Sequence, residues 1–287
     1  MSDDANHEQR EKISEPIKRE VRQRCGFGCV VCGLAIIEYA HIEPYAVVRE
    51  HDADNLTLLC PNHHTQFDKH MLPKDYILAK NAAPKCLDAG FHTLPLHAVP
   101  GQYPEFFLGT NKWTRSSQPL NVSGYPIITV ESPAEAGGPY LISGKFFNSR
   151  GLLSAEIVRN EWFGRADEWD VLQEGNRITI RDAAGSISLR LQFRPGEGIS
   201  VERLNMFVNG DRIEADEAGK VRVSSSSGFE FTLSGNTFDE VPGVATGYLG
   251  HISEQTFEHQ QTPASIRQAP DFTPTNRILL HWKPPTV

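Results

Sequence analysis

Two short pairs of soft donors stand out in the chain: Cys29 and Cys32 in "CGFGCVVCG", and Cys60 and His63 in "CPNHH". The members of each pair are separated by two residues, and Cys60 follows Cys32 by 28 positions. Two such knuckles supply the thiolates and imidazole of a tetrahedral Cys3His zinc site, with Zn2+ in a structural role. Gly28 and Gly33 give the first knuckle room to turn. Cys25 competes with Cys29 for a place in that set, but Cys25-x6-Cys32 is poor knuckle spacing. Cys86 lies beyond the unit and reads as a core or free thiol. With His63 on zinc, its neighbour His64 is turned about 100° away around a helix and is available for other chemistry.

Between the two pairs lie His41, in "AHIEP", and Asn55, which opens "NLTLLC". An imidazole with a pKa near neutrality takes a proton from water at working pH. Asn55 taken alone reads as a turn or capping residue. Asp68 stands one helical turn after His64 on the same face, as a second donor or as an ordinary solvated acid. His51 and His70 read as surface residues.

These side chains need a frame. Pro16 suits the first turn of a short basic helix that ends near Gly26, with Lys18, Arg19, Arg22 and Arg24 against Glu20. Its plain reading is a solvated helix face. The apolar runs "LAIIEYA" and "NLTLLC" read as strands on either side of a polar loop. "PNHHTQFDKHML" reads as a helix, and another begins at Pro73. A unit of roughly 70 residues is marginal on hydrophobic burial alone, and a bound metal would stabilise it.

In order and spacing, "RCGFGCVVCG", "AHIEP" and "NLTLLCPNHH" resemble the HNH endonucleases, over about residues 17–83. The resemblance implies a ββα-metal fold: two strands, a loop and a helix around one catalytic metal, Mg2+ or Mn2+. It implies His41 as general base and His64 as catalytic-metal ligand, with Asp68 a plausible second. Asn55 would pin the loop and orient His41, or bind the metal directly. Many members carry a ligand immediately before the base, where this chain has Ala40. Glu38, on the same side of a strand at period two, could reach the metal instead, or waters could fill the gap. The implied activity is metal-dependent hydrolysis of DNA, with RNA a less favoured substrate. Ala40 motivates an alternative from another class: a zinc-stabilised nucleic-acid-binding protein whose catalytic site has lapsed. A nuclease joined to an unrelated module suggests, by analogy, restriction or phage defence.

Beyond residue 83 the pattern changes. Pro84, Pro95, Pro100, Pro104 and Pro119 predict an irregular linker over 84–120. From 121 to 240, short alternating runs such as "NRITIRD", "SISLRLQF" and "KVRVSS" are separated by turn signals. They predict an antiparallel β domain, sandwich or barrel-like. The fold class is therefore α+β: a polar, disordered tail over 1–14, a zinc-stapled unit over 15–83, the linker, the β domain, and an extended segment over 241–287. Trp162, Phe163 and Trp169 read as core aromatics, or, if exposed, as platforms for bases. Arg190 and Arg194 read as solvated strand arginines. The β domain would serve a ligand or a homo-oligomeric contact.

The 287-residue chain has a formal net charge of −8, which argues weakly against a phosphate-rich partner. No apolar run approaches the ~20 residues of a membrane helix. The polar start "MSDDANHEQREK" carries no apolar signal core. Five cysteines in tight local spacing point to reduced thiols and a cytoplasmic setting.

Overall fold

The computed structural model describes residues 12–122, 124–226 and 228–241. The expected disorder of residues 1–11 and the extended segment 242–287 lie outside the described residues.

Helix α1 (Glu15–Cys25) starts with an acid, places Pro in its first turn and carries Arg22 and Arg24 in its last. Each choice suits the helix dipole or the missing first-turn donors. Gly26 stops it in the left-handed region at φ 68°, and Phe27 follows at φ 65°. Strand β1 (Glu38–His41) then pairs antiparallel with β2 (Leu56–Leu59), from Glu38 opposite Leu59 to His41 opposite Leu56. Between them lie a single-turn helix α2 (Tyr45–Val48) and a 3-10 turn (Ala53–Asn55). Every residue of β2 is buried, which explains its unbroken "LTLL". Cys60 leads from β2 into helix α3 (Pro61–Asp68), with proline again at the start. Val21, Cys25, Cys29, Ala40, Leu56, Leu58 and Ile77 share a small core with these elements. Helices α4 (Lys74–Ala82) and α5 (Lys85–Ala89) close the unit.

The stretch 84–120, expected to be irregular, is instead ordered. Besides α5 it holds β3 (Phe91–Pro95), β4 (Glu105–Leu108), β5 (Asn111–Thr114) and β6 (Leu120–Val122). Pro84 caps α5, and the other prolines fall at a strand end or between strands. Strands of three to five residues are too short to show a period beside them.

The remaining strands are β7 (Tyr125–Glu131), β8 (Leu141–Phe147), β9 (Leu153–Val158), β10 (Glu161–Arg165), β11 (Asp170–Glu174) and β12 (Arg177–Ala183). After them come β13 (Ser186–Arg194), β14 (Gly198–Val208), β15 (Asp211–Ala215), β16 (Val221–Ser225), β17 (Glu230–Leu233) and β18 (Thr237–Asp239). Among the described residues a six-stranded sheet runs β3-β10-β9-β8-β7-β6. A ten-stranded sheet follows the meander β11 to β17, with β4, β5 and β18 joined beside β14. Pairing is antiparallel except β4 with β14 and β5 with β18. Neither sheet closes. Ile128, Phe146 and Trp162 of the first share one core with Ile178, Leu189 and Met206 of the second. The arrangement is therefore two packed open sheets, and the barrel-like alternative is not met. The hairpin at Asn209–Gly210 has both residues at positive φ, 54° and 87°, as a tight two-residue turn requires. Trp162 and Phe163 are core residues. Arg194 lies over the Phe107 ring at 4.3 Å.

The basic helix is not a solvated face. Arg22 is 2 % exposed, and its guanidinium donates to both carboxylate oxygens of Asp170, at 2.9 and 3.0 Å. The same group donates to the Tyr39 hydroxyl at 2.8 Å. Arg19 lies 4.7 Å over Trp169, and Gln23 donates to the Trp169 carbonyl at 2.6 Å. Helix α1 thus joins β1 of the small unit to β11 of the large sheet. Replacing Arg22 by Met strands a buried carboxylate. Arg19 and Arg181 remain 3.5 Å from it, so the expected cost is about 3 kcal/mol, the low end for a broken buried pair. Urea unfolding checks this. A cost under about 0.5 kcal/mol, the level of an ordinary surface substitution, would contradict the buried pairing.

Candidate zinc and catalytic centre

The two donor pairs meet. The ligand atoms of Cys29, Cys32, Cys60 and His63 all lie within 4.8 Å of one another. Cys32 Sγ is 3.9 Å from Cys60 Sγ, and His63 Nδ1 is 3.1 Å from Cys60 Sγ and 3.4 Å from Cys29 Sγ. Tetrahedral zinc with bonds of about 2.3 Å sets sulfurs about 3.8 Å apart, so the group fits the ion. Cys32 donates its thiol proton toward Cys29 and so lowers the Cys29 pKa while its own rises. A metal would displace such protons on binding.

The knuckle's shape comes from close approaches. Gly33 turns at φ 84°. Gly28 is needed for space, because a Cβ there would meet Cys86 Sγ at 2.7 Å and the Gly33 carbonyl at 2.8 Å. The knuckle also runs into the large domain. Ala35 N donates to Thr93 O at 2.8 Å and Thr93 N donates to Gly33 O at 3.0 Å, while Phe27 and Ala35 belong to the sheet core. Cys25 is not a ligand: it sits in the small core with its thiol 3.7 Å from Asn81 Oδ1. Cys86 is wholly buried, and burial pushes its thiol up to about 12.

His64 faces away from this cluster. Its Nδ1 is in close contact with Glu38 Oε2, and its Nε2 lies 3.7 Å from Asp68 Oδ2. Imidazole and two carboxylates suit a hard or borderline divalent ion such as Mg2+ or Mn2+, with water completing the shell. Among the described residues, however, only the Cys3His group is drawn together as a tight ligand set of three or more. Glu38 and Asp68 flank opposite nitrogens of His64. Ala40 is 1 % exposed and lies in the small core.

His41, His64 and Asp68 line one open cleft of about 1170 Å3, together with Tyr45, Arg49, His70 and Lys74. Asn55 clamps the chain just after His41. Its Nδ2 donates to Glu43 O at 3.0 Å, its Oδ1 accepts from Glu43 N at 2.7 Å, and its carbonyl accepts from Ile42 N at 2.8 Å. The amide is thus committed to the loop. His51, expected at the surface, is half-buried, with its Nδ1 3.1 Å from His41 Nε2. Sequence spacing carries no sign of this contact, because His51 comes back to His41 only after α2 and the left-handed Arg49 (φ 59°) reverse the chain.

Residues 29–72 match the HNH endonuclease family, under the description HNH_2. No curated protein and no solved structure matches the chain.

Proposed function

We propose that this chain is a metal-dependent DNA endonuclease. The observation that carries the reading is the shared cleft, lined by His41 and by the His64–Asp68 pair, within a segment that matches the HNH family. His41 acts as general base toward a water held in the cleft. Asn55 holds the loop that presents it. His64 and Asp68 hold Mg2+ or Mn2+; Glu38, against the other nitrogen of His64, joins the same ion in the role for which Ala40 has no donor only if the ring turns. Held there, such an ion would supply charge neutralisation at the phosphate and at the departing 3′-oxygen. Arg49 and Lys74, the latter paired with Glu43, line the same cleft and are its cations for a phosphate backbone. Cys29, Cys32, Cys60 and His63 hold a structural zinc. The site works in the cytoplasm, in restriction or phage defence, and the large domain supplies a ligand site or a homo-oligomeric contact. The buried Ala40 favours the second reading, a zinc-stabilised nucleic-acid-binding protein without catalysis.

Plasmid incubated with the purified protein separates the two. Nicking with Mg2+ or Mn2+, abolished by EDTA under conditions that leave zinc bound, is the expected result. Tight DNA binding with no cleavage under any tested divalent ion would favour the binding protein instead.

A further inference from the structure

We propose that His51 is a positioning residue that fixes the tautomer of His41, an inference that rests on His41 being the base. His41 Nε2 and His51 Nδ1 are 3.1 Å apart, with ring centroids at 5.2 Å. Two neutral imidazoles at that distance share one hydrogen bond, in which one N–H donates and the other lone pair accepts. Tyr45 braces both rings. It stacks on His51 at 4.8 Å and 24°, and meets His41 edge-on at 5.4 Å and 64°. Such contacts restrain ring planes. Tyr45 and His51 come from the connection that Asn55 clamps, and His41 ends the strand that enters it.

The direction of the bond follows from the chemistry. A general base needs a lone pair toward the water. With Nε2–H donating to His51, the lone pair of His41 is on Nδ1, and His51 carries its own proton on Nε2. In the reaction an O–H bond of water breaks and an N–H bond forms at His41 Nδ1. The water oxygen bonds to phosphorus as the bond to the 3′-oxygen breaks, and that oxygen takes its proton from solvent. The Nε2–H···His51 bond strengthens as His41 becomes cationic, so it favours the transition state over the ground state.

The test uses the full, zinc-loaded chain with His51→Ala and His51→Asn. NMR of 15N-labelled histidine, assigned with His41→Ala, reads the His41 tautomer whether or not DNA is cut. Wild type is expected to hold the Nε2–H form. His51→Ala is expected to give a mixture of tautomers and to lose about 10²-fold in kcat at unchanged KM, the scale of a misplaced catalytic group. His51→Asn, whose Oδ1 can accept from Nε2–H, is expected to restore most of both. An unchanged His41 tautomer in His51→Ala, or a loss seen only in KM, would overturn the proposal. Absence of cleavage by wild type strikes the nuclease reading instead, and the tautomer measurement still decides the role of His51.

Discussion

Protein carrying His41→Ala is expected to bind zinc as wild type does and to nick plasmid about 10³-fold more slowly, the usual contribution of a positioned general base. His41 ends β1, where its backbone is paired with Leu56 and its own ring packs against Tyr45 and His51. Removing the imidazole therefore takes away the proton acceptor while the strand pairing and the four zinc donors stay in place. The effect should fall on kcat rather than on DNA affinity, because on the proposed reading the cations that meet phosphate, Arg49 and Lys74, are other residues of the cleft. Single-turnover cleavage measured beside a binding assay separates the two. Equal rates for mutant and wild type in matched preparations would remove His41 from the mechanism.

The second large effect concerns the zinc. Cys60→Ser, or prolonged chelation, is expected to release one zinc per chain and to melt the small unit. Structural zinc in such sites contributes an apparent ~10–16 kcal/mol at neutral pH, more than a core built on Val21, Leu56, Leu58 and Ile77 would be expected to replace. The loss should be local. Ile128, Phe146, Leu189 and Met206 belong to a separate, larger core and need no metal. Amide hydrogen exchange should show β1, β2 and α3 exposed while β8 and β13 stay protected. Retention of zinc by Cys60→Ser, or unchanged protection in β1 and β2, would show that the four donors are not the site.

What was legible in the sequence was local. A pair of donors two residues apart, or His64 and Asp68 four apart on a helix, is a statement about neighbouring turns, and backbone geometry carries it directly. The strands from β12 to β17 were legible for the same reason: alternation and glycine turns act within ten residues. What failed was distant or too short. Arg22 looked like one of four solvated charges, because its partner Asp170 is 148 residues away. His51 looked peripheral, because a reversed loop brings it to His41. The strands between 84 and 120 looked like proline-rich coil because none is long enough to show a period.

The Arg22–Asp170 bond also sets an order in time. A ribosome adds about 5–20 residues per second, so on the order of ten seconds separates the emergence of α1 from that of β11. Through that interval the first helix carries a guanidinium whose burial partner has not been made. The strand bearing His41, tied to that guanidinium through Tyr39, gains its final brace only when most of the chain exists. A nascent or truncated chain that stops short of Asp170 therefore lacks the buried pair that braces β1.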